Sequence, residues 1–235
     1  LELPADVVGY NRYFGWYKEA GSAENFGEWL DLYHNEKEKR PVCLSEYGGG
    51  GAISQHKDNV DWESDIDPVG VRHYENYQSQ LHEILWKQFS VRKYLWAEFI
   101  WCMFDFASYG RTEGDTKSLN DKGLCTRERI PKDVYFFYRS VWSSEKTVYI
   151  TERRHEFRAC DVPFVKVYSN ADAVELCIND ISYGRMSRCE LPDDENTVFV
   201  WKNIKIKPDT KNKICAKAYF SDGASRTDYA FWTGK

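Results

Sequence analysis

No stretch of this 235-residue chain reaches about eighteen consecutive apolar residues, so the sequence offers no membrane-spanning helix. Basic charge is also missing as a feature. The net charge is −5 and no basic stripe appears, which argues against nucleic acid or an anionic membrane as a partner. The one local cluster, Lys37, Lys39 and Arg40, reads as the solvated end of a helix, where positive charge complements the dipole. The seven cysteines are odd in number and none falls in a C-x-x-C pair. Several lie inside apolar runs such as Val174–Ile178, so buried thiols are expected rather than a disulfide framework. The five histidines have no metal-ligand spacing, so neither a structural zinc site nor another cofactor is expected. No signal peptide is visible.

Aromatic residues are abundant. Nine Trp, sixteen Tyr and thirteen Phe make up 16% of the chain, within a hydrophobic content of 42%. Flat amphipathic rings suit sugar-binding platforms, although large cores use them too. Val42-Cys43-Leu44-Ser45 is a short apolar run, stopped abruptly by Glu46, Tyr47 and the glycines Gly48 to Gly51. That is how a buried parallel strand looks where it emerges at its carboxyl end. In (β/α)₈ barrels catalytic groups sit at that end. Val7 to Tyr17 and Tyr94 to Phe106 read as two further strands. Between them Phe26, Trp29, Leu30 and Tyr33 recur with helical spacing behind Ser22 as a cap, and Tyr74, Tyr77, Leu81, Ile84, Leu85 and Gln88 mark a longer helix. The alternation implies parallel strands with right-handed crossovers.

Three sets of residues resemble the last third of the barrel in glycoside hydrolase family 2. They are Asn11-Arg12-Tyr13-Phe14-Gly15-Trp16-Tyr17, Ser45-Glu46-Tyr47-Gly48, and Phe99-Ile100-Trp101-Cys102-Met103-Phe104-Asp105-Phe106. Arg111-Thr112-Glu113-Gly114-Asp115, Asn120-Asp121-Lys122-Gly123-Leu124 and Arg129-Ile130-Pro131-Lys132-Asp133 follow in the same order as in that family. In detail the pattern looks most like its bacterial β-galactosidases. The resemblance implies a retaining hydrolase acting on β-galactoside oligosaccharides or polysaccharides. Glu46 would be its nucleophile and Tyr13 the hydrogen-bond donor to it. Asn11 would reach sugar hydroxyls and Trp101 would form a wall under the sugar. Cys102 stands where the family often has an amide.

The family's general acid is a Glu after an Asn on an earlier strand, and this sequence begins beyond that point. The chain is therefore read as the C-terminal portion of a larger enzyme, with the missing N-terminal portion as its partner and a homo-oligomer left open. Glu98 is the obvious internal substitute. Its three-residue offset from Trp101 turns it toward the helices if one strand carries both. Asn120 and Lys122 admit a second reading. A similar Asn-x-Lys in the family's β-glucuronidases contacts the sugar carboxylate, to which an ammonium and an amide are apt donors. The loops Arg111–Asp115 and His56–Asp67 favour galactosidase, with β-glucuronidase as the alternative.

A boundary is expected near Ser143-Ser144-Glu145, after a short helix from Asp133 to Trp142 with Val134, Phe137, Tyr138 and Val141 inward. Beyond it the period changes to two, with strands predicted over 147–150, 164–168, 174–178, 198–204, 214–219 and 229–232. The expected fold is thus α/β followed by all-β. Residues 1–145 form the C-terminal portion of a (β/α)₈ TIM barrel and 146–235 a small immunoglobulin-like β-sandwich. No catalytic constellation or aromatic row is apparent in the sandwich. A rival reading from a different class makes the whole chain an inactive structural or docking fragment, because three barrel strands leave open edges.

Overall fold

The computed structural model describes residues 5–192 and 196–235, so the opening Leu1–Pro4 lies outside the described residues. Two compact units emerge. One comprises residues 1–55 and 60–131, and the other residues 56–59 and 132–235.

In the first unit, strands β1 (Val8–Asn11), β2 (Val42–Tyr47) and β3 (Leu95–Ile100) form a parallel sheet in the order β1-β2-β3. Helix α1 (Phe26–Glu36) connects the first pair, while the short α2 (Trp62–Asp65) and the long α3 (Glu75–Ser90) connect the second. Val42, Leu44 and Tyr47 alternate onto the helix side, where they meet Phe26, Leu30, Leu81, Leu85 and Phe89 in one apolar core. A fully buried Leu or Phe contributes about 1.5–3 kcal/mol each, so this core holds the sheet to its crossovers. The three parallel strands are the C-terminal part of a barrel that closes with eight. Trp96 and Phe99 remain about half exposed on β3, at 51% and 52%, which marks it as a strand without an outer neighbour in this sheet.

Two local expectations change. Ser22 precedes a 3₁₀ turn at Ala23–Asn25 and makes no side-chain capping bond, while Asn25 takes the cap position of α1. The segment from Tyr94 to Phe106 is not one strand. Pairing stops at Ile100, and Phe106–Ala107 (β4) turns back to pair with Leu119–Asn120 (β5). Glu98 keeps its expected side: it is in register with Leu44 of the helix-side core and stands two residues before Ile100, which packs against that core.

The second unit begins with α4 (Asp133–Trp142). Its predicted bounds hold, and Val134, Phe137 and Tyr138 are buried while Val141 is half-buried. The helix groups with the β-rich unit rather than with the barrel portion. Phe136 stacks on Tyr149 at 3.7 Å, and the Asp133 carboxylate accepts from Tyr149 Oη at 2.6 Å and from the Glu152 amide at 2.5 Å. Strands β6 (Val148–Ile150), β7 (Phe157–Arg158), β8 (Asp161–Ser169), β9 (Ala173–Ile178), β10 (Ile181–Ser187), β11 (Val198–Lys205), β12 (Lys211–Tyr219) and β13 (Ser225–Gly234) follow. They form sheets β11-β8-β6 and β10-β9-β12-β13-β7, packed over a shared core of alternating inward residues. Phe199 lies at its centre with no exposed surface. Phe199→Ala should therefore cost this unit about 3–5 kcal/mol. A urea unfolding curve checks this, and a loss below about 1 kcal/mol would show that the core collapses around the gap.

Candidate active site

The carboxyl ends of the three strands converge on Glu46. Backbone pairing puts Asn11 opposite Glu46, and the Arg12 amide donates to the Glu46 carbonyl at 2.9 Å, which fixes the two strand ends together. Glu46 is half-buried. Its Oε2 accepts a hydrogen bond from Tyr13 Oη at 2.5 Å. Burial first, and then the bond and charge of Glu46, push the Tyr13 phenol far above the usual tyrosine range. The phenol therefore stays protonated and remains a donor to the carboxylate. Asn11 accepts from Ser45 Oγ at 2.7 Å, which orients its amide at the same strand end.

The chain leaves Glu46 through glycines because the loop is crowded. Gly48 has a φ of 126°, and a Cβ there would meet the His82 ring and the Trp101 carbonyl. Trp101 follows β3 directly, and its amide donates to the Tyr47 carbonyl at 2.9 Å. Its peptide bond to Cys102 is cis. The ring meets Phe106 edge-on at 5.8 Å and borders a groove of about 640 Å³ with Phe104, Arg127 and Arg129. A second cleft of about 860 Å³ is lined by Asn11, Tyr13, Tyr17 and Trp29. Both volumes suit a small organic ligand. The Cys102 thiol donates to the Phe104 carbonyl at 3.1 Å, so this position supplies no amide to a sugar.

The loop after β5 brings Lys122 into the same region. Its Nζ donates to Tyr17 Oη at 3.1 Å and lies 5.2, 5.6 and 5.8 Å from the ring centres of Tyr17, Trp16 and Tyr13. The residue is only 3% exposed, and no carboxylate among the described residues pairs with it. The Asn120 side-chain carbonyl accepts from the Lys122 amide at 3.1 Å. Half of this amide therefore shapes the loop, which the sequence reading did not anticipate. Gly123 is required next, since a Cβ would run into the backbone of Phe104, Asp105 and Cys125.

The remaining acids have local duties. Asp105 accepts from the Gly123 amide at 2.8 Å. Glu113 pairs with Arg111 and accepts from the Thr112 amide, and Asp115 accepts from Ser54 and Thr116. Glu98 pairs across the sheet with Leu44, below the level of Glu46, and burial pushes its carboxyl upward. Sequence reasoning assigned no role to Trp16, Tyr17, His73 or Asp121. The available signal was Tyr17, four residues beyond Tyr13 in the same aromatic run. In the second unit Asp58, Glu152 and His155 bring three ligand-type atoms within 4.8 Å of one another. The Arg158 guanidinium already bonds both Asp58 and Glu152 there, supplying the positive charge that a metal would bring.

The profile of the glycosyl hydrolases family 2 TIM barrel domain matches residues 3–147. The chain belongs to glycoside hydrolase family 2. A second profile, described as a domain of unknown function, matches residues 162–226. A β-glucuronidase of Bacteroides fragilis is 33% identical over 208 residues, covering 88% of this chain and 28% of the relative. The structure of an FMN-binding β-glucuronidase from Facaelibacterium prausnitzii superimposes with a TM-score of 0.83 at 33% identity, over 98% of this chain and 32% of that one. That of a candidate β-galactosidase from Bacteroides fragilis gives 0.88 at 28% identity, over 99% and 33%. The chain thus spans about a third or less of the length of these relatives.

If Tyr13 holds the charge on Glu46, Tyr13→Phe should lower kcat about 10- to 100-fold in a protein with the complete barrel, with little change in KM. Steady-state kinetics on a nitrophenyl glycoside test this. An unchanged kcat would make the hydroxyl purely structural.

Proposed function

We propose that this chain is the nucleophile-bearing part of a retaining β-glucuronidase. The observation that carries the reading is the Lys122 ammonium, nearly buried among Tyr13, Trp16 and Tyr17 and without an acid partner among the described residues. A buried cation is costly unless a counter-charge meets it. The C6 carboxylate of a glucuronide supplies that charge at the moment of binding. A galactoside, with a neutral hydroxymethyl group at C6, does not. The Asn120 NH₂ group, whose carbonyl end is tied to the loop, adds a second donor for the same carboxylate. Relatives named β-glucuronidase at 33% identity support this reading over the galactoside expectation. The loops that favoured galactosidase carry ordinary local contacts, such as Arg111 with Glu113.

In this mechanism Glu46 attacks the anomeric carbon and forms a glycosyl ester. A second carboxylate about 5–5.5 Å away protonates the leaving oxygen and then activates water. That acid comes from barrel strands outside this chain. Tyr13 keeps Glu46 aimed and shares its changing charge. Trp101 forms a wall of the sugar site, and Asn11 offers a polar contact to the ring hydroxyls.

Lys122→Gln tests the substrate class. In a protein carrying the complete barrel, kcat/KM on nitrophenyl β-glucuronide should fall about 10- to 100-fold, while the corresponding β-galactoside and β-glucoside lose far less. Equal losses on all three substrates would remove the acid-reading role of Lys122.

A further inference from the structure

Asp121 stands between Asn120 and Lys122, the two residues assigned to the sugar carboxylate, and is itself a carboxylate. On a flexible loop its charge would compete with the substrate for the neighbouring ammonium and would repel the substrate's acid group. The structure turns it elsewhere. Asp121 Oδ2 lies 2.7 Å from His73 Nδ1, with both residues buried at 7% and 1% exposure. Glycines clear the space it occupies, since a Cβ on Gly50 or on Gly114 would press on its two carboxylate oxygens. Its main-chain carbonyl accepts from the Gly51 amide at 3.1 Å, which ties the loop to the glycines that follow Glu46.

His73 is well placed to hold this group. Its other ring nitrogen lies 3.1 Å from the Asp67 carbonyl, its amide donates to Gln55 Oε1 at 2.9 Å, and its carbonyl accepts from the Ala52 amide at 2.8 Å. The ring also meets the edge of Trp16 at 4.8 Å, and Trp16 is one wall of the box around Lys122. One imidazole therefore supports both the aromatic wall and the acid next to the ammonium.

We propose that His73 is a positioning residue for sugar-acid recognition: it holds the Asp121 carboxylate away from Lys122, so that the ammonium is kept for the substrate's carboxylate. The inference rests on the β-glucuronide reading and adds a specificity determinant that does not itself touch the sugar.

The test measures kcat/KM on nitrophenyl β-glucuronide and nitrophenyl β-glucoside, in a protein with the complete barrel, for the wild type and four variants. His73→Phe keeps the ring against Trp16 and releases Asp121, so the glucuronide-to-glucoside ratio should fall about tenfold or more. Adding Asp121→Asn to His73→Phe removes the competing charge and should recover most of that ratio. His73→Asn, with an N–H able to stand where Nδ1 stands, should retain much of it. Asp121→Asn alone should keep the preference. If His73→Phe lowers both substrates equally and Asp121→Asn restores nothing, His73 is a purely structural residue and the proposal is overturned. Loss of the preference in Asp121→Asn alone overturns it too, because the carboxylate itself would then be needed. A wild type without preference for the glucuronide overturns the underlying reading, and the inference with it. A wild type that has this preference, beside a His73→Phe variant that keeps it, overturns the inference alone.

Discussion

The constraint on which the site depends is a positive charge taken out of water. Lys122 is nearly buried among three aromatic rings, and its one side-chain hydrogen-bond acceptor among the described residues is the Tyr17 hydroxyl. Aromatic faces attract an ammonium, but this attraction is worth about 0.5–2 kcal/mol, much less than the hydration a buried cation gives up. In the proposed function the carboxylate of the substrate restores the balance. The loop geometry around Lys122 follows from holding that charge in place: the Asn120 carbonyl on its amide, Gly123 where no Cβ fits, and Asp105 clamping the next turn.

The barrel portion links this charge to the Glu46 carboxylate by short, rigid connections. Tyr13 reaches both, through its hydroxyl to Glu46 and through its ring to Lys122. The Gly48–Gly51 loop leaves the strand of Glu46 and meets the Asp121 backbone within a few residues. Under the proposed function, acid reading and nucleophilic attack therefore share one framework, and a displacement at either end is felt at the other. The β-rich unit has its own core and contributes none of the residues assigned to the site.

Much of this was legible in the chain. The β2 pattern ending in Glu46 and four glycines, the bounds of α4 and the alternation of β8, β9, β11 and β12 follow from periodicity and turn residues. β10 escaped notice because Ile181–Ser187 is mostly exposed and carries Gly184 and Arg185 where a buried strand would alternate. The turn before it was visible, as Asn179 and Asp180 both take positive φ, which suits a tight hairpin. β7 has two residues and no period to read. The sequence ranked a galactoside ahead of a glucuronide because one loop pattern fits both. Asn-x-Lys reads alike in a loop that pairs with local acids and in one that keeps its ammonium for a ligand. The contacts of Lys122 support the second reading.

Covalent trapping tests the central claim most directly. A protein containing this chain and the complete barrel is incubated with a 2-deoxy-2-fluoro-β-glucuronyl fluoride, which slows the second step so that the ester accumulates, and the labelled peptide is mapped by mass spectrometry. The account predicts one glucuronyl adduct, on Glu46, and no comparable adduct from the matching galactosyl fluoride. A label on any other acid, or trapping by the galactosyl reagent alone, would contradict it.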